Sequence, residues 1–238
     1  PIIANNDISL KTLAIGRGFF SVYQQERQEE VFAQLNSGEE NISQYLEPGF
    51  ALVQELIDEE YIDAEKTLDT LKTSDDLEEF AKGTSPFMLT GAWAAGRMEG
   101  MESDFAFEVD PIPALDDGGF LVINADVRLS VNADSKHMEA AKKFVEYFTQ
   151  EDNIQKFAGQ QSSFSPLKSG KASTVSEMQP LVPCYQAGRT VIGADGLLNL
   201  PIWNLTAEAS QMLLSGESLD ETLKWLDEQA AQERRMPE

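Results

Sequence analysis

The sequence predicts a mixed α/β fold that is rich in helices. Amphipathic stretches, with apolar residues at every third or fourth position, alternate with short apolar runs bounded by glycine or proline. The first pattern indicates helices and the second indicates buried strands. The alternation contains no internal repeat, and it is typical of α/β proteins rather than of helix bundles or β-sandwiches. With 238 residues, the chain is long enough for one large or two modest domains.

The first sixty residues are predicted to be helical. An apolar stripe runs through residues 8–35, and we expect Gly16 and Gly18 to interrupt that helix, because glycine weakens a helix interior. Asp7 precedes the stripe and is placed to cap its first turn. Residues 42–60 are expected to form a strongly amphipathic helix, since their apolar side chains recur at three- and four-residue spacing.

In the middle of the chain, the spacing of the apolar residues changes from a helical pattern to short continuous runs. A short helix with an acidic start is expected at 75–82. Residues 86–90 form a short apolar run between glycines, and residues 105–109 form a second run that two prolines close. Residues 120–131 are interpreted as a long strand or a pair of strands. All three runs are typical of buried strands.

The last hundred residues return to helices. The helix predicted at 135–149 is expected to bury an apolar face that includes Phe144, and a short helix around Ile154 follows it. Three more helices are expected at about 176–188, 202–215 and 218–235. Between the last two, Gly216 is expected to end one helix and Ser218 to cap the next.

Composition narrows the range of partners. Asp and Glu number 41 against 18 Lys and Arg, which gives a net charge of −23. Such a field repels phosphate backbones and anionic lipid heads, so we expect no nucleic-acid partner and no membrane-surface binding. Cys184, the single cysteine, excludes an internal disulfide and is expected to be a small buried hydrophobe. His137, the single histidine, is expected to be solvated at a helix start.

Motifs for catalysis are missing from the sequence. It contains no phosphate-binding loop, no nucleophile elbow and no zinc-protease motif. Gly91 and Gly96 follow a strand candidate, as in a nucleotide loop, but the glycine set is incomplete. With 41 acidic residues, pairs of carboxylates are expected in any case, so their presence does not indicate an enzyme. We therefore expect no catalytic residues, no metal and no cofactor, and we predict that the protein is not an enzyme.

Two tryptophans are the candidates for a binding site. Trp93 directly follows the strand candidate 86–90, and open α/β sheets place their ligands past the ends of strands. Trp203 begins a helix after a proline, beside the amide of Asn204. Indole faces stack on the C–H faces of sugar rings, while amides hold hydroxyl groups. The alternative, which is more frequent for tryptophan, is a core position, and we expect it for Trp225.

Four stretches of sequence carry a family resemblance. The first, from Phe80 to Trp93, is similar to the pattern F-x-x-G-x-x-A-M-x-x-x-G-x-W. The others run from Asp104 to Pro113, from Ser135 to Phe144, and from Trp203 to Leu223. In this order and spacing they resemble the extracellular solute-binding proteins of ABC importers, in the sugar-binding family that includes maltose-binding protein. The resemblance covers about residues 45–230.

The resemblance implies a periplasmic-binding-protein-like fold of type II, in which two α/β lobes close on a solute. By the family pattern, residues 1–117 and 180–238 belong to the C-terminal lobe, and residues 118–179 cross into a partial second lobe. Most of the N-terminal lobe is absent, so we expect the chain to be a C-terminal fragment. The strands within 120–131 then lack partners, and a dimer of fragments is expected to cover them.

The resemblance also implies the residues of the site. Trp93 matches the family's sugar-stacking tryptophan, and Trp203 matches a second aromatic residue of the cleft, with Asn204 beside it. Many family members carry an aromatic residue near the opening proline, where this chain has Asn5 and Asn6, so we expect hydroxyl contacts there instead.

Asn124, Asp126 and Arg128 lie on the crossing segment and are expected to face the cleft, and Asp126 and Arg128 complete the expected set of ligand-binding residues. An ion pair at a strand edge would explain these two residues equally well.

The function implied is that of a substrate-binding component of an ABC import system. Its ligand is expected to be a mono- or oligosaccharide, and its partners the transmembrane subunits of the permease. The location is expected to be extracytoplasmic, with a lipid anchor on the full-length protein. One alternative is a binder of a peptide, a polyamine or an anion on the same fold. The other is a glycan-active enzyme, which needs two carboxylates roughly 5–10 Å apart near the tryptophans.

Overall fold

The computed structural model describes residues 1–5, 8–69, 73–125, 127–168, 170 and 175–234. The amino-terminal half contains β1 (Ile2–Ile3), α1 (Ser9–Gln24), α2 (Gln28–Ser37), α3 (Ser43–Asp58), α4 (Ala64–Asp69), α5 (Thr73–Ala81), β2 (Phe87–Met88) and α6 (Ala94–Met98). The carboxy-terminal half contains β3 (Ile112–Leu115), β4 (Gly118–Ile123), α7 (Met138–Phe148), α8 (Glu151–Gln160), α9 (Leu181–Gln186), β5 (Thr190–Ile192), α10 (Ile202–Leu214) and α11 (Leu219–Glu233). The predicted helix-rich α/β class is confirmed.

Two small sheets lie among the helices. β1 pairs in parallel with β2, with Ile2 opposite Phe87. β4 is the central strand of a second sheet, antiparallel to β3 and parallel to β5. Phe120 on β4 is fully buried in the main core. The expectation that the strands within 120–131 lack partners is therefore wrong for residues 120–123, because both edges of β4 are paired.

The main core lies between α1, α3, α10 and α11, with β4 and β5 packed against α1. Phe19, Phe50, Leu213 and Leu226 are among the side chains that it buries almost completely. These four helices bring together the first sixty and the last forty residues of the chain, so the two ends of the sequence share one core.

α1 continues through its glycines, so the predicted interruption is wrong. A Cβ atom on Gly16 would lie 2.3 Å from Cε2 of Phe120, and one on Gly18 would lie 2.8 Å from the carbonyl oxygen of Tyr45. The missing side chains therefore let β4 and α3 approach the backbone of α1. The chain turns instead at Glu26, between α1 and α2, where φ is 55°.

Four predicted helices are confirmed as α3, α5, α10 and α11. Gly216 follows the end of α10 with a left-handed φ of 93°. Ser218 Oγ accepts a hydrogen bond from the backbone nitrogen of Glu221 at 3.3 Å and donates to that residue's carboxylate at 2.9 Å. Ser218 therefore caps α11, as the sequence predicts.

The strand candidates are shorter than predicted. Residues 86–90 contribute only the two residues of β2, and residues 105–109 form no strand, although their exposure alternates along the chain. In the run 120–131, the strand ends at Ile123, and the described residues after it form none. Alternating apolar residues indicate burial on one side, but a strand also needs a neighbouring strand for its backbone hydrogen bonds.

α7 confirms the helix predicted at 135–149, but not its burial. None of its residues is buried, and Phe144 and Tyr147 are 56% and 60% exposed. Phe148 contacts Phe157 of α8, with ring centroids 4.9 Å apart. The expected inward packing of Phe144 is therefore wrong in this structure.

The remaining observations concern three single residues and membrane spans. Cys184 is buried and free, and His137 is exposed immediately before α7, so both interpretations are confirmed. Asp7, the predicted cap of α1, lies outside the described residues. No helix in the described part of the chain is both long enough and apolar enough to cross a bilayer.

Candidate functional site

Trp203 lies in the first turn of α10, where Pro201 precedes the helix. Its indole is half-buried, and it forms part of an open surface depression of about 290 Å³. The amide side chain of Asn204 is exposed and lines the same depression. Most of the other lining residues come from the segment before α10, including Ala194, Asp195 and Leu198. Two of the predicted site residues, which are adjacent in the sequence, thus line one depression.

The position of the Trp203 ring depends on a glycine. A Cβ atom on Gly193 would lie 2.8 Å from Cζ2 of Trp203 and 2.9 Å from Oδ1 of Asn124. The ring therefore packs directly against the backbone that follows β5. The ammonium group of Lys11, on α1, lies 5.4 Å from the centroid of the ring. This distance suits a cation–π interaction.

The segment 193–200, which we call the wall, is held by side chains from α1, from α2 and from the residue that follows β4. Asn124 accepts a hydrogen bond from the backbone nitrogen of Ala194 at 3.1 Å. Tyr23, near the end of α1, donates to Oδ2 of Asp195 at 2.6 Å.

Asn36, at the end of α2, contacts the wall twice. Its amide donates to the carbonyl oxygen of Leu197 at 2.7 Å and accepts from the backbone nitrogen of Asn199 at 2.9 Å. An irregular segment tied at this many points has little freedom to move away from Trp203.

The Tyr23 phenol remains a hydrogen-bond donor at ordinary pH. Burial raises its pKa well above the usual range, and the hydrogen bond to Asp195 and the negative charge of that carboxylate raise it further. The other oxygen of Asp195 accepts a hydrogen bond from the backbone nitrogen of Leu197 at 2.8 Å. Both carboxylate oxygens are thereby oriented by the protein.

Trp93 immediately precedes α6 and is half-buried. It packs with a second apolar cluster that includes Leu77 and Met98, separate from the main core. The guanidinium carbon of Arg97 lies 4.3 Å from the centroid of its ring and covers one face of the indole. A ligand that stacks on Trp93 in this arrangement has to use the opposite face.

The first turn of α1 contacts the segments that carry both tryptophans. The hydroxyl of Ser9 donates to the carbonyl oxygen of Leu89 at 2.5 Å, four residues before Trp93. Lys11, two residues further along, lies over Trp203. That both tryptophans face one open surface stays a prediction.

The remaining predicted contacts are not part of this arrangement. Asn6 and Asp126 lie outside the described residues. Arg128 is exposed, in a segment without helix or strand. Asn5 is 1% exposed, donates to Asp76 at 2.7 Å and accepts from the backbone nitrogen of Ile8 at 2.7 Å. The expected hydroxyl contact from Asn5 is therefore wrong: its amide is used to hold the start of α1.

Comparison with known proteins identifies the family. A model of bacterial extracellular solute-binding proteins matches residues 12–183. The chain belongs to this family of solute-binding proteins. The matched stretch includes Trp93 and ends before Trp203, and it confirms the resemblance seen in the sequence.

Two relatives of this solute-binding protein are informative. It is 28% identical to a multiple sugar-binding protein of Streptococcus mutans over 109 aligned residues. These residues make up 45% of this chain and 26% of the relative. The solved structure of a family 1 extracellular solute-binding protein from Bifidobacterium longum subsp. infantis matches with a TM-score of 0.67 at 18% identity. That match covers 97% of this chain and 60% of the solved one, and it confirms the fold. The chain thus spans about a quarter of one relative and three-fifths of the other.

The solute-binding protein also contains site residues that sequence reasoning missed. Gly193 and Asp195 belong to a run that reads as an ordinary turn, and nothing in that run points to a ligand. Tyr23 and Asn36 are more than 150 positions away from the wall that they hold. No group of three or more His, Cys, Asp or Glu side chains in the described part of the chain is arranged to hold a metal ion.

Proposed function

We propose that this solute-binding protein binds a mono- or oligosaccharide between two lobes and delivers it to the permease of an ABC importer. The observation that carries the proposal is the depression in which the indole of Trp203 lies beside the amide of Asn204. An indole offers a flat apolar face to the C–H groups of a sugar, and an amide offers both a donor and an acceptor to its hydroxyls. The sugar-binding relative supports the same ligand class.

Trp93 is the proposed second stacking surface. We propose that its face opposite Arg97 takes a sugar ring, and that Asn6, Asp126 and Arg128 add hydroxyl contacts. Closure of two lobes would bring such residues around one ligand.

The proposed lobes follow the family pattern, with residues 1–117 and 180–238 in one lobe and 118–179 crossing into the other. Exposed apolar side chains support a second lobe, because Val127, Leu129, Phe144 and Tyr147 all lie in the crossing segment. The crossing segment begins with β4, which is paired with β5 in the main core. We therefore place the crossing itself after Ile123.

The remainder of the family fold, which this chain does not span, is the proposed cover for that apolar face. We further propose that the protein acts outside the cytoplasm, with a lipid anchor on its full-length form.

A second candidate ligand is an anionic solute such as a uronic acid. Both candidate rings carry a cation, Arg97 at 4.3 Å from the Trp93 centroid and Lys11 at 5.4 Å from the Trp203 centroid. A guanidinium or ammonium group beside a stacking surface would also pair with a carboxylate on the ligand. An enzymatic role has less support, since Asp195 alone contributes a carboxylate to the described lining of the Trp203 depression.

The test is a binding titration on the full-length protein, by calorimetry and by tryptophan fluorescence. Glucose, galactose, maltose and lactose represent neutral sugars, and glucuronic and galacturonic acids represent anions. Trp203→Ala is expected to weaken binding by about tenfold or more, as the loss of a central aromatic contact does. Trp93→Ala should do the same if that ring is the second stacking surface.

Trp225→Phe is the matched control, because Trp225 lies on the neighbouring helix α11 and lines a different depression. It should leave the affinity unchanged. If only the uronic acids bind saturably, the proposed ligand is an anionic sugar and not a neutral one. If neither class binds, the carbohydrate assignment is overturned.

A further inference from the structure

We propose that Asp195 is a hydroxyl-binding residue of the Trp203 depression and that Tyr23 is the positioning residue that holds it. This inference rests on the proposed function, because it names a polar contact of the same sugar site. The depression places the Asp195 carboxylate in the same lining as Trp203 and Asn204. A carboxylate beside an indole can take hydroxyl groups at the rim of a ring that stacks on the indole.

The carboxylate keeps room for a ligand. Tyr23 donates to its Oδ2 at 2.6 Å, and the backbone nitrogen of Leu197 donates to its Oδ1 at 2.8 Å. An ionised carboxylate has about four acceptor sites, two on each oxygen. Donors in the described part of the chain occupy two of these sites, one on each oxygen, which leaves each oxygen a further site for a hydroxyl donor.

The orientation of Asp195 is set before any ligand arrives. Tyr23 packs edge-on against Phe32 of α2, with ring centroids 6.2 Å apart, so its phenol is held by the core. The Asn36 amide holds the backbone of Leu197 and Asn199, two and four residues after Asp195. A carboxylate fixed in this way loses little freedom when a sugar binds, and this favours affinity.

The experiment measures affinity for whichever of glucose, galactose, maltose or lactose binds, and for its monodeoxy analogues. Asp195→Asn keeps the size of the side chain and an acceptor for Tyr23, but it removes the charge and the second acceptor oxygen, which the backbone nitrogen of Leu197 uses. We expect it to weaken binding of the parent sugar by about tenfold or more, as for a hydrogen bond to a charged group. For one monodeoxy analogue, which lacks the hydroxyl that Asp195 holds, the loss should shrink to about twofold or less.

Tyr23→Phe removes only the phenolic oxygen and tests the positioning role. It should weaken the parent sugar several-fold and spare the same monodeoxy analogue that Asp195→Asn spares. Tyr185→Phe is the matched control, because Tyr185 stacks on Phe164 and takes no part in the wall. It should leave all affinities unchanged.

The outcomes separate this inference from the proposed function. If Trp203→Ala abolishes binding while Asp195→Asn weakens every analogue equally, or none, then Asp195 does not bind a hydroxyl and only this inference fails. If Tyr23→Phe weakens all sugars alike, its positioning role is overturned. If Trp203→Ala leaves binding intact, or no sugar binds, the site itself is wrong and the inference is overturned with it.

Discussion

At the scale of single residues, close packing decides where the candidate site lies. The Trp203 ring rests against Gly193 at a distance that no side chain could share. Gly16 likewise leaves space for close packing, because side chains of β4 contact the backbone of α1 there. These glycines matter for the space that they leave, and not for their backbone freedom.

Gly193→Ala is expected to displace the Trp203 ring, because the new methyl group would lie 2.8 Å from Cζ2. Overpacking of this kind costs about 1–3 kcal/mol of unfolding free energy. Urea unfolding measures that cost, and the emission maximum of the tryptophans reports the displacement. Gly196→Ala is the control, since a Cβ there meets nothing within 4 Å. Equal behaviour of the two variants would contradict the packing account.

A buried carboxylate makes a second prediction at this scale. Asp76 is 3% exposed, and burial raises its pKa, while the hydrogen bond from Asn5 acts in the opposite direction. Because the folded state holds the proton more tightly than the unfolded state, stability should fall as pH rises from the ordinary aspartate pKa through the raised one.

Asp76→Asn should remove that part of the pH dependence and keep the acceptor for Asn5. Urea unfolding between about pH 4 and pH 8 measures it, over a window that begins near the ordinary aspartate pKa. The stability gain of the variant over the parent should grow with pH and then level off. Glu78→Gln, at an exposed position of the same helix, is the control. A constant difference across the range would contradict the raised pKa.

At the scale of elements, the helices were predicted more closely than the strands. α3, α10 and α11 follow from apolar residues at helical spacing and from local caps such as Ser218, which the sequence displays directly. The strand candidate at 105–109 has an equally clear alternation but forms no strand. Helix hydrogen bonds lie within one segment, whereas strand hydrogen bonds need a second segment whose position only the fold supplies.

Ser218→Ala should destabilise the protein by about 1 kcal/mol, the usual cost of losing an N-cap. The reason is that the backbone nitrogen of Glu221 would lose its side-chain acceptor. Urea unfolding monitored by circular dichroism measures the effect. Ser218→Asp keeps an acceptor and should restore most of the stability. A loss in Ser218→Asp as large as that in Ser218→Ala would show that the cap is not the cause.

At the scale of the whole molecule, the apolar face around α7 is the most informative feature. Phe144 and Tyr147 are more than half exposed on a helix whose sequence is strongly amphipathic. The chain spans 60% of the solved relative, and the part of the family fold that it does not span is our proposed cover for this face. A second copy of the chain is the competing cover.

The 238-residue chain on its own should bind a hydrophobic dye through this face, and the double substitution Phe144→Ser with Tyr147→Ser should reduce that binding. The physical reason is that large exposed apolar patches attract apolar partners. Dye fluorescence and mass from light scattering measure the two properties. Tyr61→Ser, at another exposed aromatic position, is the control.

If the chain forms a dimer that the double substitution dissociates, a second copy is favoured as the cover of the apolar face. A monomer with strong dye binding is expected if the remaining lobe is the cover. Equal dye binding by the parent and the double variant would contradict the role of this face.

The sequence by itself determined the α/β class, most helices, the Ser218 cap of α11, and the family, because these depend on local spacing and on motifs in a fixed order. It also singled out Trp203 and Asn204 as neighbours. Only the tertiary structure brought Asp195 to that pair and placed Tyr23 and Asn36 behind it. Contacts between residues more than 150 positions apart depend on how α1, α2 and the wall pack together. No local pattern encodes that packing, since it is the sum of many weak contacts across one shared core.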